Sequence, residues 1–575
     1  MEKWMMKNVK APINEMSREL NVSPIVAKLL VNRNVKSIKE ARDFLHPDLK
    51  NLNDPFKMKD MDKAVDIISK SILNDELIEI IGDYDVDGVV STYILYSSIC
   101  ELGGNVTYAI PHRIIDGYGI NKNMVLRAYE KGVKLIITCD NGISAFDAID
   151  YARDLGIKVI ITDHHEINLT PEKREILPNA IAILNPKRES CEYPFKKLCG
   201  AGVALKLSES LYIHYNKKGF EKYIEFAAIA TVCDVVDLIG ENRIIVYHGL
   251  KMLNNSSNLG MKALIKEMGL CDKEINTYHL GFMIGPSINA SGRLEKADYS
   301  LKLLLSKNEE EASHLAEYLH NLNIERQKIT SLGIDIADEM VKNYHKNFKV
   351  IVLNINEVHE SVAGIVAGKI KEKYYLPCII LTKTLDGLKG SGRSIEKYNM
   401  YEELSKVKNL INRFGGHAMA AGLSLSEENL DEFIESLNAN CNLSDEDTTP
   451  TIIIDSKLPF DQISLSLYED LKKLEPYGKS NPRPAFAEKN ISIWKIDLLG
   501  KNKNIIKMVV KLNNIMYDAL IFEKNILSKF DELIELFSLK KKIDIVFTVD
   551  LNEYMGNKKL QLIINSYRPS LSEVG

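Results

Sequence analysis

Apolar positions follow two rhythms along this chain. From residue 77 onward, short and almost wholly apolar runs recur at residues 77–81, 133–138, 157–162 and 180–184, and segments of helical length such as 89–102 and 144–155 lie between them. Strands buried on both faces need continuous apolar runs rather than alternating ones. Their alternation with helices predicts a parallel sheet with right-handed crossovers. Farther along, Ala312, Leu315, Ala316, Leu319 and Leu322 recur at helical spacing, and Ile329, Leu332, Ile336 and Met340 continue the stripe past Gly333. This predicts one long connecting helix over 306–345, opened by a Ser306/Glu309 capping box. A second α/β unit follows over 346–440, with strands at 350–353 and 378–381 around a helix at 362–373. The polar, acidic stretch 438–450 reads as a linker. Beyond it, strand-like pieces at 451–454, 491–496, 505–510, 515–522, 543–549 and 560–564 predict a small β-barrel over 451–575. Residues 1–60 read as short helices, with Ala41 and Leu45 sharing one side of 37–45. The fold class is therefore α/β: a parallel-sheet domain over 61–305, the connecting helix, a smaller α/β domain and a C-terminal barrel.

Composition narrows this picture without redirecting it. A length of 575 residues suits about three to five domains. With 45% hydrophobic and 27% charged residues, the chain is a folded globular protein rather than a disordered one. It contains no apolar run of membrane-spanning length and no apolar N-terminal core before a cleavage site, so neither a span nor a signal peptide is expected. Eight scattered Cys without any C-x-x-C pair fit free thiols in a reducing compartment, the cytoplasm. The net charge of −5 argues superficially against a nucleic-acid partner. Residues 451–575, however, carry 19 Lys and Arg against 16 Asp and Glu, so the acid excess lies elsewhere. Part of that excess is a carboxylate cluster that bound cations would offset.

The cluster begins at Asp83-Tyr84-Asp85-Val86-Asp87-Gly88, directly after a strand. In an extended loop, side chains two apart point the same way, and crowded carboxylates need solvent, protons or metal. A calcium loop is excluded because position 12, counted from Asp83, is Ile94 rather than Glu. Asp140 ends the second apolar run, Asp163-His164-His165 ends the third, and Asp234 borders an apolar stretch starting at Phe226. In parallel sheets, ligands bind at the carboxyl ends of the strands. Polar residues also follow buried strands simply because loops begin there. That accounts for any one Asp, and poorly for carboxylates and imidazoles gathered at one edge. Carboxylates with an imidazole suit Mn²⁺ or Mg²⁺, and several Asp around two ions is the pattern of two-metal phosphoryl chemistry. The chain has no G-x-x-x-x-G-K-[ST] loop and no nucleophile elbow.

These motifs resemble the DHH phosphoesterase superfamily, most closely its branch of single-strand-specific 5′→3′ exonucleases. The resemblance runs from about residue 77 to near the C-terminus. It includes Pro111-His112-Arg113, Asp116-Gly117-Tyr118-Gly119, Leu198 to Val203 and Asn289-Ala290-Ser291-Gly292-Arg293. Gly390 to Ser394, Phe414-Gly415-Gly416-His417 and Ala420-Ala421-Gly422 look like the DHH-associated domain. Leu474-Glu475-Pro476-Tyr477-Gly478 with Asn481-Pro482 looks like the OB-fold of that branch. The resemblance implies Asp85, Asp87, Asp140, His164 and Asp234 as metal ligands, with Asp83 a ligand or its support. It implies His165 and Arg113 on the scissile phosphate and Asp163 in support. It puts Asn289, Arg293, Gly392, Arg393, Gly416 and His417 on the substrate side, the glycine pairs 390/392 and 415/416 letting backbone N–H groups approach a phosphate. The chain departs from the family pattern at Ser287 (often Arg), Val358 (often Trp), Gly368-Lys369 (often Ser-Arg) and Ser480 (often Gly).

Blander readings stand beside these. His112 alone reads as structural, and Tyr118, Tyr477 and Phe486 are more often core than stacking platforms. Lys501, Lys503, Lys507, Lys511 and Lys540-Lys541-Lys542 could track phosphates or be a solvated face. The resemblance implies a single-stranded-DNA exonuclease that uses two divalent ions, Mn²⁺ or Mg²⁺, to release mononucleotides from the 5′ end in recombination and repair. Its implied partners are a helicase and a single-strand-binding protein. A phosphodiesterase of the same superfamily acting on oligoribonucleotides or cyclic dinucleotides is the nearest alternative. A non-catalytic nucleic-acid-binding scaffold is a further one, and a complete acidic set argues against it.

Overall fold

A computed structural model describes residues 2–343, 348–385, 387–500, 503–522, 526–554 and 556–570. Lys501 and the last two positions of the expected connecting helix, 344–345, lie outside the described residues. The chain forms two compact units, one of residues 53–236 and 248–450, the other of residues 2–52, 237–247 and 451 onward.

In the first unit the apolar runs become strands of one parallel sheet: β1 (Ile78–Ile81), β2 (Val106–Ala109), β3 (Leu135–Cys139), β4 (Lys158–Thr162) and β5 (Ala182–Leu184), in the order β2-β1-β3-β4-β5. β1, β3 and β5 are buried along their whole length, as strands covered on both faces must be. β2 is an edge strand whose four residues are all half-buried, so it lacks the apolar run that marks the others. Helices α1 (Val86–Glu101), α2 (Gly200–His214), α3 (Ile224–Cys233) and α4 (Gly285–Leu294) are among the helices of this domain. The long helix α5 (Glu309–Lys342) follows. It is capped by Asn308, whose side chain accepts from the Glu311 N–H at 2.8 Å. Ser306 instead ends the preceding helix, which corrects the expected capping box. Gly333, a nominal helix weakener, has a packing reason: a Cβ there would lie 2.6 Å from Val358 Cγ2.

The smaller domain of this unit comprises β6 (Ile351–Asn354), α6 (Glu360–Tyr374), β7 (Cys378–Thr384), β8 (Gly387–Arg393), β9 (Arg413–His417) and β10 (Ala420–Leu425). Its sheet order is β9-β10-β8-β7-β6, with only β6 and β7 parallel.

In the second unit β11 (Ser456–Lys457), β12 (Phe486–Leu499), β13 (Ile505–Leu512), β14 (Ile515–Phe522), β15 (Ile543–Tyr554) and β16 (Asn557–Pro569) run in the order β11-β12-β13-β14-β16-β15, and β15 returns to pair with β12. That return closes a barrel, leaving only the two-residue β11 at an edge. Its core includes Phe460, Phe486 and Phe547 and, from the N-terminal helices, Leu29, Leu30 and Phe44. Arg243 is buried here and donates to the carbonyls of Phe44 (2.9 Å), Leu474 (3.0 Å) and Glu475 (2.7 Å). Phe486 is therefore core, as its blander reading held. Lys507 faces Asp518 at 3.4 Å, Lys511 lies over the Trp494 ring, and Lys540 to Lys542 are exposed. No helix among the described residues is long and apolar enough to cross a membrane.

Candidate active site

The carboxyl edge of the parallel sheet gathers the acidic residues, and helix N-termini hold two of them. Asp85 caps α1, its Oδ1 accepting from the N–H groups of Asp87 (2.9 Å) and Gly88 (3.1 Å). The loop is thus not extended: the helix begins at Val86 and Asp87 sits in its first turn. Asp87 in turn accepts from Gly200 N–H (2.6 Å) and Ala201 N–H (2.7 Å), the first residues of α2. Partial positive charge at both helix ends favours carboxylates there. Asp140 follows β3 with a left-handed backbone, φ 62°. Asp163, His164 and His165 follow β4. Asp234 is the exception among the group, because it caps the C-terminus of α3 rather than ending a strand.

His164 stands at the centre of this set. Its Nε2 lies 3.1 Å from Asp140 Oδ1 and 3.7 Å from both Asp87 Oδ2 and Asp234 Oδ2. Ligand atoms of Asp140, His164 and His165, and likewise of Asp87, His164 and Asp234, all lie within 4.8 Å of one another. Asp83 is buried beside them and accepts from Gly119 N–H at 3.2 Å. Its Oδ2 and Asp140 Oδ1 are buried without a hydrogen-bond donor. Burial and mutual repulsion push these carboxyls up: Asp83 and Asp140 well above the usual range, Asp87 to about 6, Asp234 to about 8. Burial and the charge of His165 lower His164 to about 3, leaving a neutral imidazole able to act as a ligand. Orphaned carboxylate oxygens around a neutral imidazole fit divalent cations, which would relieve the repulsion. The oxygen-rich set suits Mn²⁺ or Mg²⁺ better than a tetrahedral zinc site.

The two histidines diverge although adjacent. Burial pushes the His165 imidazole down, but Asp163 Oδ1 at 2.7 Å outweighs it and raises the ring to about 9. Asp163 is fixed by the N–H groups of Ile143 (2.9 Å), His164 (2.7 Å) and His165 (3.0 Å), which makes it a scaffold for the pair. Tyr118 donates to the Asp140 carbonyl at 2.7 Å and sits 3.3 Å from His165 Nε2, so it borders the site rather than filling a core. His112 Nδ1 accepts from the Ile114 and Ile115 N–H groups and orders its own loop.

Near Asp83 and Asp85, guanidinium groups converge. Arg113 lies over the Tyr84 ring at 4.9 Å. Arg293 on α4 donates to the Ser361 carbonyl at 2.8 Å, and Arg393 donates to Ser391 Oγ (2.9 Å) and the Gly392 carbonyl (2.8 Å). Burial, then the charges of Arg113, Arg326 and Arg393, depress Arg293 to about 10. Arg326 on α5 was not foreseen from the sequence. Its guanidinium donates twice to Asn323 Oδ1 (3.1 and 2.9 Å), and Asn323 donates to Ser287 Oγ at 3.1 Å, where the family often has Arg. The signal was present as Asn323, Arg326 and Thr330, polar residues at helical spacing beside the apolar stripe.

The remaining expected residues are placed less directly. Asn289 Oδ1 accepts from Val86 N–H at 3.1 Å and so steadies the start of α1. Gly392 lies in β8, a strand paired on both sides, which engages its peptide groups in the sheet. Gly416, with φ 147°, and His417 are exposed at the end of β9. Among the described residues no hydrogen bond or ion pair joins His417 to the carboxylate set.

This parallel-sheet domain with its Asp/His edge, its α/β companion and its barrel defines a metal-dependent phosphoesterase of the DHH class. Family models agree: the DHH family N-terminal domain matches residues 77–231, the DHHA1 domain 347–443 and the RecJ OB domain 454–566. The chain is 37% identical to the single-stranded-DNA-specific exonuclease RecJ of Bacillus subtilis over 556 residues, 96% of this chain and 69% of that one. It is 32% identical to RecJ of Haemophilus influenzae over 590 residues, 98% of this chain and all of that one. The crystal structure of RecJ in complex with Mn²⁺ from Thermus thermophilus superposes with a TM-score of 0.84 at 25% identity, covering 98% of this chain and 79% of that one. The chain belongs to the RecJ family.

Proposed function

We propose that the chain is a single-stranded-DNA-specific exonuclease that hydrolyses phosphodiester bonds from the 5′ end to 5′-mononucleotides, acting in recombination and repair in the cytoplasm. The observation that carries this is the buried carboxylate set, with oxygens on Asp83 and Asp140 that accept no hydrogen bond, near the guanidinium groups. Relatives named for this activity, and RecJ crystal structures holding Mn²⁺ and Mg²⁺, support it.

Asp83, Asp85, Asp87, Asp140, His164 and Asp234 would hold two divalent ions, which supply an activated water and charge neutralisation on attacking and leaving oxygens. Asp163 holds His165 protonated, so that ring and Arg113 bind the non-bridging oxygens of the scissile phosphate. Arg293, Arg326 and Arg393 hold neighbouring phosphates, where unneutralised guanidinium charge is worth most. From the smaller domain, Gly416 and His417 would lie on the substrate side, while Gly392 is committed to its sheet. A cleft too narrow for duplex would set strand selectivity, and a helicase and a single-strand-binding protein would deliver the strand.

Asp140→Ala is expected to abolish hydrolysis while leaving measurable strand binding. Time courses on 5′- and 3′-labelled single strands, with Mn²⁺ and with Mg²⁺, read activity and polarity together. Unchanged turnover in Asp140→Ala would remove the two-ion mechanism. Equal rates on matched single strands and blunt duplex would remove the strand selectivity.

A further inference from the structure

The chain entering α4 exposes an aromatic pair that the proposed chemistry does not use. The helical turn Thr277–His279 runs into a π-helical turn, Leu280–Ile284, and then into α4 without a break. Tyr278 is 59% exposed and Phe282 67% exposed, and their rings stack 5.1 Å apart at 27°. Four-residue spacing explains why the rings meet. It does not explain why both face water, since aromatic rings bury about 150–250 Å² each when they join a core.

The inner side of the same turn is locked against the catalytic domain. Leu280 is buried, and Cys233 Sγ donates to its carbonyl at 3.5 Å. A Cβ on Gly285 would stand 2.2 Å from Cys233 Sγ, and one on Gly281 3.8 Å from Val232 Cγ1. Cys233 immediately precedes Asp234, one of the carboxylates beside His164. Continuing along the helix, seven residues beyond Phe282, comes Asn289, which steadies the α1 turn bearing Asp85 and Asp87. At ~1.5 Å rise per residue that separation is on the order of 10 Å. Arg293 of the guanidinium group lies one turn farther. π-helical turns inside α-helices are frequent at functional sites, where the extra residue re-aims side chains.

We propose that Tyr278 and Phe282 form a stacking platform for unpaired bases of the strand held at the metal centre, within a few nucleotides of the scissile phosphate. This rests on the single-strand nuclease reading and names the part of the substrate that reading leaves unbound. Every base has a π-face, so stacking holds a strand of any sequence. Bases within a duplex keep their faces covered by neighbours and cannot use the platform, so it adds to strand selectivity without a steric gate.

The test uses the full-length chain with Mn²⁺ and two 5′-phosphorylated strands of equal length. One carries bases throughout; the other has a run of abasic tetrahydrofuran residues at the 5′ end. Phe282→Ala and the Tyr278→Ala/Phe282→Ala pair should lower kcat/KM on the base-bearing strand by about tenfold or more. On the abasic strand they should match the wild type, and Phe282→Tyr should retain the wild-type rate on both. Equal losses on the two strands would mean a merely structural role, and no loss on either would mean no role; both overturn the platform. A wild type that degrades neither strand overturns the nuclease reading and the platform together.

Discussion

Asp163, His164 and His165 are neighbours in the chain with three different tasks. Asp163 collects three N–H donors and the His165 ring, His164 turns to Asp140, Asp87 and Asp234, and His165 stays exposed enough to meet a phosphate. The residue types and their place after a strand were legible in the sequence. Which histidine faced which way was available only through the family resemblance, because adjacent side chains carry no spacing signal. Buried polar groups away from the site were not legible at all, and Glu225 is the sharpest case. It lies in the first turn of α3, accepts from Ser256 Oγ at 2.9 Å, and has a buried Oε2 without a donor. Burial pushes its carboxyl up from 4.5 to about 7. The folded state therefore keeps a proton that the unfolded state has lost between those values, and stability falls as pH rises through that window. Glu225→Gln, which mimics the protonated form, should raise Tm by a few degrees at pH 8. That gain should vanish at pH 4 in calorimetric scans of the two proteins. The same gain at both pH values would show that Glu225 is not the titrating group.

Elements position the site through close backbone approach as much as through side chains. The N-terminus of α2 reaches Asp87 only because Gly200 is bare: a Cβ there would stand 2.6 Å from the Asp140 Cβ. Gly200→Ala should thus displace two carboxylates at once while leaving the sheet intact. Its expected signature is a loss of about 10–100-fold in activity or metal affinity, typical of groups that support ligands. Metal titration of activity with unchanged far-UV circular dichroism checks it, and wild-type metal dependence would contradict it. α5 contributes charge rather than shape. Arg326→Met, made in the inactive Asp140→Ala background, should reduce the slope of log K against log salt for a single strand by about 0.7, one phosphate contact. An unchanged slope would take Arg326 off the strand. The strands β1, β3, β4 and β5 were legible from their apolar runs, whereas β2 was not, because a half-buried edge strand mixes polar and apolar residues. The start of α1 at Val86 was not legible for a related reason: Asp85, expected as a metal-side carboxylate, is also the helix cap, and the expected role drew attention from the second.

At the scale of the molecule, sequence order and spatial grouping part company. Residues 2–52 group with the barrel rather than with the domain that follows them in the chain. Lys3–Met6 pairs in parallel with Thr451–Ile454, and Leu29, Leu30 and Phe44 share a core with Phe460, Phe486 and Phe547. Arg33 donates to Asn481 Oδ1 and the Pro482 carbonyl, both at 2.6 Å, tying the end of the helix Pro24–Asn32 to the loop after Tyr477. Hydrophobic periodicity marks that those helices have an apolar face, but it carries no record of which distant segment covers that face. A barrel that has lost these helices would leave several large apolar side chains in water, each worth roughly 1.5–3 kcal/mol of burial. Removal of residues 2–52 is therefore expected to unfold the barrel selectively. Limited proteolysis read by mass spectrometry should show new cuts within residues 451–570, and calorimetry should show the transition of the first unit unmoved. The truncated chain should then bind long single strands more weakly than the full chain, because the barrel carries the surplus of Lys and Arg. An uncut barrel with its own cooperative transition would mean instead that the N-terminal helices merely decorate it.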